Sequence, residues 1–161
     1  MTKIDPKIER LLPISFVKAE LACHPDIELE AIEVNDWLME RKGGWAGYVH
    51  ELKKIIFDPT VKPSVICKFA NSLFPELCLQ EDESWAWALY HEVSHAMGNF
   101  NEWECNLYAK QRILELRNKK EAERKRFVDA ISEAVAKGIR ASFSDNRSSS
   151  SKGIRTAFGG K

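Results

Sequence analysis

Apolar residues in the first half of the chain follow two different patterns. Spacings of three and four residues predict helices over residues 15–23 and 27–41, separated at His24 and Pro25 because proline disfavours helical geometry in the residue before it. From Trp45 onward, short β-prone runs alternate with X-Pro pairs. This alternation predicts three strands, Ala46–Val49, Lys54–Phe57 and Val65–Phe69. The stretch 47–57 is also compatible with a helix.

A longer apolar run, Trp85–Met97, follows the polar segment Glu81–Ser84. Acidic residues and a serine favour a helix start, because they accept hydrogen bonds from its free N–H groups and complement its dipole. Gly98 is expected to end this helix. The sequence therefore predicts a well-bounded helix here.

A further helix is predicted to begin at Asn101, which resembles the first residue of a capping box with Glu104 three residues later. It should run through Leu116 and onward, with breaks, to Ile139. Beyond Ala141 the chain is rich in Ser, Gly and Arg and is predicted to be disordered, because it offers little material for a core.

These elements predict an α+β protein in three parts: a domain over residues 1–116, a basic helical extension over 117–140 and a flexible tail over 141–161. The 161 residues carry no net charge, but the first 116 sum to −7 and the remainder to +7. The mixed charges of the extension favour a solvated helix face. A weak contact with nucleic acid is the functional alternative, although no recognisable DNA-binding motif is present.

The cysteines and the absence of long apolar runs predict a cytoplasmic protein without a membrane span. No apolar run approaches the roughly 20 residues that cross a bilayer, and the first residues lack the layout of a signal peptide. The cysteines form no Cys-x-x-Cys pair, so reduced and mostly buried thiols are expected at all four positions, Cys23, Cys67, Cys78 and Cys105.

The chemistry of the chain is concentrated in the motif from His91 to His95, which reads His-Glu-x-x-His. Residues four apart share a helical face, so both imidazoles can bind one Zn²⁺ ion while Glu92 reaches a metal-bound water as general base. The motif predicts a zinc-dependent metallopeptidase. The plain alternative is a helix that carries two surface or core histidines.

A catalytic zinc site normally has three protein ligands, and no histidine follows His95. The metzincin register would place Asn101 at the third position, where a neutral amide is a poor ligand, and no methionine follows Met97 to form a Met-turn. The other source is a glutamate on the following helix, as in gluzincins.

The segment Glu102-Trp103-Glu104-Cys105-Asn106-Leu107-Tyr108-Ala109 resembles the Glu-x-Glu-Ala-Asn-x-Phe-Ala motif of ImmA/IrrE-type metallopeptidases. The resemblance covers roughly residues 84–116 and implies a zincin-like fold, with Glu104 as the third zinc ligand and Asn106 behind the ligands. Glu102 is the substitute ligand if the register is shifted, and Glu104 as a plain helix cap is the competing role. A phage or mobile-element metallopeptidase with the same ligands fits equally well.

The reaction also needs a donor for the developing oxyanion, and Tyr108 is the first choice beside Tyr48 and His50. The expected substrate is a protein partner that adds a strand to an exposed sheet edge, which we assign to Val65–Phe69. The oligomeric state stays open. The alternative function is a non-catalytic binding or structural protein, associated with a virion or with nucleic acid, that keeps a zincin-like fold.

Overall fold

The computed structural model describes residues 2–35 and 44–150, the last ten of them in their backbone only. The expected α+β class is confirmed. Within the described ranges the chain forms four strands and four α-helices, in the order β1 (Lys3–Ile4), α1 (Ile14–Ala22), β2 (Ala31–Val34), β3 (Ala46–Val49), β4 (Lys54–Phe57), α2 (Pro63–Leu73), α3 (Ser84–Ala96) and α4 (Glu102–Ser150).

The four strands form one mixed sheet in the order β1-β2-β4-β3. Strands β1, β2 and β4 are parallel, whereas β3 runs antiparallel to β4 with Tyr48 opposite Ile55. The Trp45 carbonyl accepts a hydrogen bond from the Asp58 N–H at 2.9 Å. Along an antiparallel strand, the N–H and C=O groups of successive residues point alternately toward the partner strand and away from it. Since those of Trp45 point toward β4, the main-chain groups of Ala46 and Tyr48 point away from it.

The predicted helix over 27–41 is wrong in its first part, because Ala31–Val34 is the strand β2. This strand pairs with β1 on one side and with β4 on the other, so its backbone hydrogen bonds are satisfied by neighbours distant in sequence. The buried Ile32 fits a strand flanked on both sides as well as it fits a helix. Residues 36–41 of the predicted helix lie outside the described residues.

The predicted strand Val65–Phe69 is also wrong, because these residues belong to α2. Pro63 stands at the start of this helix, where its fixed φ and missing N–H are tolerated. The buried positions follow helical spacing at Ile66, Cys67 and Ala70. Strands β3 and β4, by contrast, match their predicted bounds.

The motif helix α3 lies at the centre of the domain and confirms the helix predicted over Trp85–Met97. Every residue from Ser84 to Ser94 is buried, and Trp87, Leu89 and Val93 are fully enclosed in the core. Helix α3 packs against β3 and against α2. It ends at Ala96, and Gly98 takes a positive φ of 93°, the conformation that favours glycine after a helix.

The chain divides into two compact units, Met1–Leu116 and Arg117–Lys161. Within the second unit residues 121–140 are exposed, and ion pairs join Glu121 to Arg124 and Glu133 to Lys137. Helix α4 extends to Ser150, so residues 141–150 are helical where the sequence predicts disorder. Extending an existing helix avoids a second nucleation step, which favours this continuation. Residues 151–161 of the predicted tail lie outside the described residues.

All four cysteines are free, with Cys67 and Cys105 buried and Cys23 and Cys78 exposed. The expected free thiols are therefore confirmed, although only half of them are buried. Among the described residues, we find no helix that combines the length and the apolar character needed to cross a bilayer.

Candidate metal centre

Two histidines from α3 and one glutamate from α4 converge on a single point. His91 Nε2 and His95 Nε2 lie 3.1 Å apart. The Glu102 carboxylate reaches both rings, with one oxygen 3.2 Å from His91 Nε2 and the other 3.4 Å from His95 Nε2. Two imidazole nitrogens and one carboxylate therefore face one another, and such a cluster could hold a metal ion.

The spacing of the two imidazole nitrogens is close to that of ligands on a tetrahedral ion. Zinc bonds of about 2.0–2.1 Å place neighbouring ligand atoms about 3.3–3.4 Å apart at the corners of a tetrahedron, and the two Nε2 atoms lie 3.1 Å apart. The contacts of Glu102 with the two rings involve its two different oxygens, and one ligand atom from each of the three residues lies within 4.8 Å of the others. Three protein ligands of this kind leave a fourth tetrahedral position for water or substrate.

The opposite nitrogen of each ring is anchored. His91 Nδ1 lies 3.0 Å from Oδ1 of Asn106, and His95 Nδ1 lies 2.8 Å from the carbonyl oxygen of Asn99. Acceptors at Nδ1 hold the N–H on that nitrogen and leave Nε2 with its lone pair, which is the form that binds a metal. The sequence motif predicted that Asn106 lies next to a zinc-binding histidine. The contact between the Asn99 carbonyl and His95, in contrast, results from the turn at Gly98.

The surroundings of His91 favour its neutral form. Burial and the neighbouring His95 hold the pKa of His91 below its usual range. A neutral imidazole is the form that coordinates metal. Cys105 is close to this group, with its sulfur 3.4 Å from His95 Nδ1, but it lies on the far side of the ring from Nε2. Burial raises the pKa of the Cys105 thiol and so favours its protonated form.

The structure brings Glu102, not Glu104, to the two histidines, so the predicted third ligand is corrected. Residues four apart on a helix share a face, and Glu102 shares its face with Asn106, which contacts His91. Glu104 lies two positions further on, roughly 200° around the helix. Both glutamates are exposed, so the helix face and not burial distinguishes them. The N-cap of α4 is Asn101, whose Oδ1 accepts from the N–H groups of Trp103 and Glu104 at 3.0 and 3.3 Å.

Glu92, the predicted general base, is buried beside the cluster and contacts the sheet edge. Its Oε2 accepts a hydrogen bond from the Tyr48 N–H at 2.6 Å. Tyr48 lies in β3, and its N–H points away from β4. The hydrogen bond to Glu92 therefore joins the outer side of this edge strand to the motif helix. This link between Glu92 and β3 has no signature in the sequence, because a main-chain donor is independent of residue type.

Tyr108, the predicted catalytic tyrosine, lies in another part of the domain. Its hydroxyl is 2.8 Å from His24 Nε2 and donates to Glu20 at 3.4 Å. Burial raises the pKa of Tyr108. Since Tyr108 is four residues after Glu104, both share the helix face that turns away from the histidines, and both line a separate surface groove.

A cleft of about 660 Å³ opens over the cluster. Of the three oxyanion candidates, Tyr48 and His50 line it. The cleft also holds aromatic residues that sequence analysis did not single out. Its walls are formed by strand β3 and the residues around it, by one residue of α2, by α3 and the turn that follows, and by the first residue of α4: Gly44, Trp45, Ala46, Gly47, Tyr48, His50, Glu51, Phe69, His91, Glu92, His95, Phe100 and Glu102.

Comparison of the chain with protein-family models, with curated proteins and with solved structures returned no match. The side chains of the site are therefore the basis for a candidate function. A His-His-Glu cluster with anchored rings, a buried glutamate beside it and an open cleft above it are the features that a function has to account for.

Proposed function

We propose that this chain is a zinc-dependent metallopeptidase that hydrolyses a peptide bond in a protein partner. The observation that carries the proposal is the convergence of His91, His95 and Glu102 within 3.4 Å of one another, beside the buried carboxylate of Glu92. A helical His-Glu-x-x-His with a glutamate from the next helix is a gluzincin ligand set, and a zincin-like domain over residues 1–116 is part of the proposal.

We propose zinc as the metal, because two imidazoles and a carboxylate carried by a His-Glu-x-x-His helix and the helix after it form the pattern of catalytic zinc sites. His91, His95 and Glu102 would hold the ion, and a bound zinc would lower the pKa of water and polarise the scissile carbonyl. Asn106 and the Asn99 carbonyl orient the two rings.

Glu92 is the proposed proton carrier. Its carboxylate is adjacent to His91 in sequence, faces the cleft and is held by the Tyr48 N–H. In this position Glu92 takes a proton from the attacking water and passes it to the leaving amine. The hydrogen bond from Tyr48 fixes the carboxylate so that little reorganisation is needed during the transfer.

The donor for the developing oxyanion is proposed among His50 and Tyr48, which both line the cleft. Their rings lie edge to face, with centroids 6.1 Å apart. A donor must reach the oxygen of the tetrahedral intermediate, and either a ring N–H or a phenolic O–H in the wall of the cleft can serve.

The substrate is proposed to enter as an extended strand along β3. This strand ends the described sheet, and the outward carbonyl groups of Ala46 and Tyr48 can accept hydrogen bonds from an added strand. The assignment replaces Val65–Phe69, which is helical. Residues of β3 contact the motif helix directly, so a strand laid along this edge would pass over Glu92.

The proposal retains the ImmA/IrrE resemblance in its ligand types and changes one residue, with Glu102 in the place of Glu104. A cytoplasmic location is included, because the four free cysteines suit a reducing compartment.

The proposal is tested by comparing the wild-type protein with Glu92→Gln, with Glu104→Gln as the matched control. All three are produced with added zinc, assayed for bound metal and incubated with a proteome extract whose new peptide termini are identified by mass spectrometry. We expect zinc in all three proteins and new termini with the wild type and the control only. Wild-type protein that holds no zinc would refute the proposal. Stoichiometric zinc without proteolysis would instead favour a non-catalytic binding protein.

A further inference from the structure

Two pairs of aromatic rings mark the two ends of strand β3. Trp45 directly precedes the strand, and its ring packs against Phe69 of α2 with centroids 4.8 Å apart. His50 directly follows the strand, and its ring packs against Phe100, with centroids 5.9 Å apart. All four residues line the cleft over the metal cluster.

The spacing of the two pairs suits a short extended peptide. Five residue steps separate Trp45 from His50, and a strand rises about 3.4 Å per residue, so the two positions are about 17 Å apart. Tyr48, whose N–H contacts Glu92, lies between them. A peptide running along β3 would therefore pass one aromatic pair, then the metal cluster, then the other pair.

The outer ring of each pair is available for contact. Phe69 is 36% exposed and Phe100 is 69% exposed, although both are large apolar side chains. Single exposed apolar residues are common on protein surfaces, but these two line one concave site together with the metal cluster and pack beside opposite ends of strand β3. An apolar side chain of a ligand would bury these rings and itself.

We propose that the substrate is an extended peptide segment with two large apolar side chains about four or five residues apart, on opposite sides of the scissile bond. One apolar side chain packs on Trp45 and Phe69, and the other packs on His50 and Phe100. The inference rests on the proposed peptidase function and adds the side chains that it selects.

The test uses a proteome-derived peptide library, the zinc-loaded full-length protein and Glu92→Gln as the blank. Cleaved peptides are aligned at the scissile bond. We expect aromatic and large aliphatic residues to be enriched at one position on each side. For single peptides, replacing either apolar side chain by Ala should lower kcat/KM by about 10- to 100-fold.

Two variants determine which aromatic pair binds the apolar side chain on each side of the scissile bond. Phe69→Ala should relax the apolar preference on one side of the bond and Phe100→Ala on the other, each leaving the opposite preference intact. Val65→Ala, one turn earlier on α2, and Leu52→Ala, just after β3, are matched controls at exposed apolar positions outside the cleft lining. Neither control should change the profile.

The possible failures can be distinguished. Cleavage without enrichment of apolar residues, or with both variants relaxing the same side, would overturn this inference and leave the peptidase proposal standing. Absence of any cleavage beyond the Glu92→Gln blank would overturn both.

Discussion

Glu102 and Asn106 stand one turn apart on the same face of α4, and together they contact three of the four ring nitrogens of His91 and His95. The remaining nitrogen, His95 Nδ1, contacts the Asn99 carbonyl in the turn between the two helices. One helix face therefore supplies both a ligand and the group that orients another ligand, which makes the rotation of α4 about its own axis decisive for the site.

The first prediction separates the two glutamates at the start of α4. Glu102→Gln removes a carboxylate from the cluster, so we expect zinc affinity to fall by more than about a hundredfold, exceeding the loss typical of orienting residues. Glu104→Gln should leave zinc affinity unchanged. Titration with a zinc-selective chelator measures both. Equal losses in the two variants would contradict the ligand set.

The second prediction concerns Asn106. Asn106→Ala removes the acceptor for His91 Nδ1 and should lower zinc affinity by about 10- to 100-fold. Asn106→Asp keeps an acceptor oxygen and should retain much tighter binding. The same chelator titration applies, with circular dichroism to establish that both variants fold. Identical affinity in the wild type and Asn106→Ala would show that the contact does not orient the ring.

One error in helix register explains both residues that the sequence misassigned. Glu104 and Tyr108 are four apart, so choosing Glu104 as the ligand also turns Tyr108 toward the site. The partner of Asn106 at the same spacing is Glu102, so spacing alone groups the residues of α4 into these two pairs. The sequence indicated His91, His95, Glu92 and Asn106 as candidates, but which of the two pairs turns toward the histidines depends on tertiary packing, which local spacing does not specify.

The third prediction concerns Tyr108, whose hydroxyl contacts His24. Tyr108→Phe should leave peptidase activity unchanged and lower the free energy of unfolding by about 1 kcal/mol. Burial raises the pKa of Tyr108, so the unfolded chain loses this proton first as the pH rises. The stability of the wild type should therefore fall above pH about 10, with the advantage over Tyr108→Phe shrinking there. Urea unfolding at pH 8 and pH 10.5 measures both effects.

The fourth prediction concerns the ion pair between Glu20 of α1 and Arg112 of α4. Glu20 is buried, whereas Arg112 is partly exposed. Arg112→Met would remove the arginine from a buried carboxylate and leave it the Tyr108 hydroxyl and the His24 ring as partners, and we expect the free energy of unfolding to fall by about 3 kcal/mol. The double variant Glu20→Met with Arg112→Met should recover much of this loss. Thermal and urea unfolding give the comparison, and additive losses would show that the two charges are not coupled.

The fifth prediction distinguishes the two oxyanion candidates. If His50 is the donor, His50→Ala should lower kcat by about a hundredfold or more with little change in KM, because the contact is made mainly in the transition state. Tyr48→Phe tests the phenolic hydroxyl in the same way. A change confined to KM in both variants would assign the two residues to substrate binding alone.

The sheet shows where sequence patterns were sufficient and where they were not. Strands β3 and β4 were predicted at their observed bounds, because each is a compact β-prone run bounded by turn residues. Strand β2 was taken for a helix, since Ala31, Ile32 and Val34 suit either spacing. Its identity comes from pairing with β1 and β4, which are far away in the sequence, and local spacing does not contain that information.

Because Glu102 is the first residue of α4, fraying of this helix end and binding of a metal ion are coupled. A helix end frays more readily than its middle, and a ligand at that end has to be ordered before it can bind. In the proposed zinc protein, the ion would therefore order the first turn of α4, and fraying of this turn would accompany metal release. Amide hydrogens near Cys105 would exchange more slowly in the presence of zinc. Asn101→Ala removes a good N-cap and would speed zinc dissociation, although Asn101 is not a ligand.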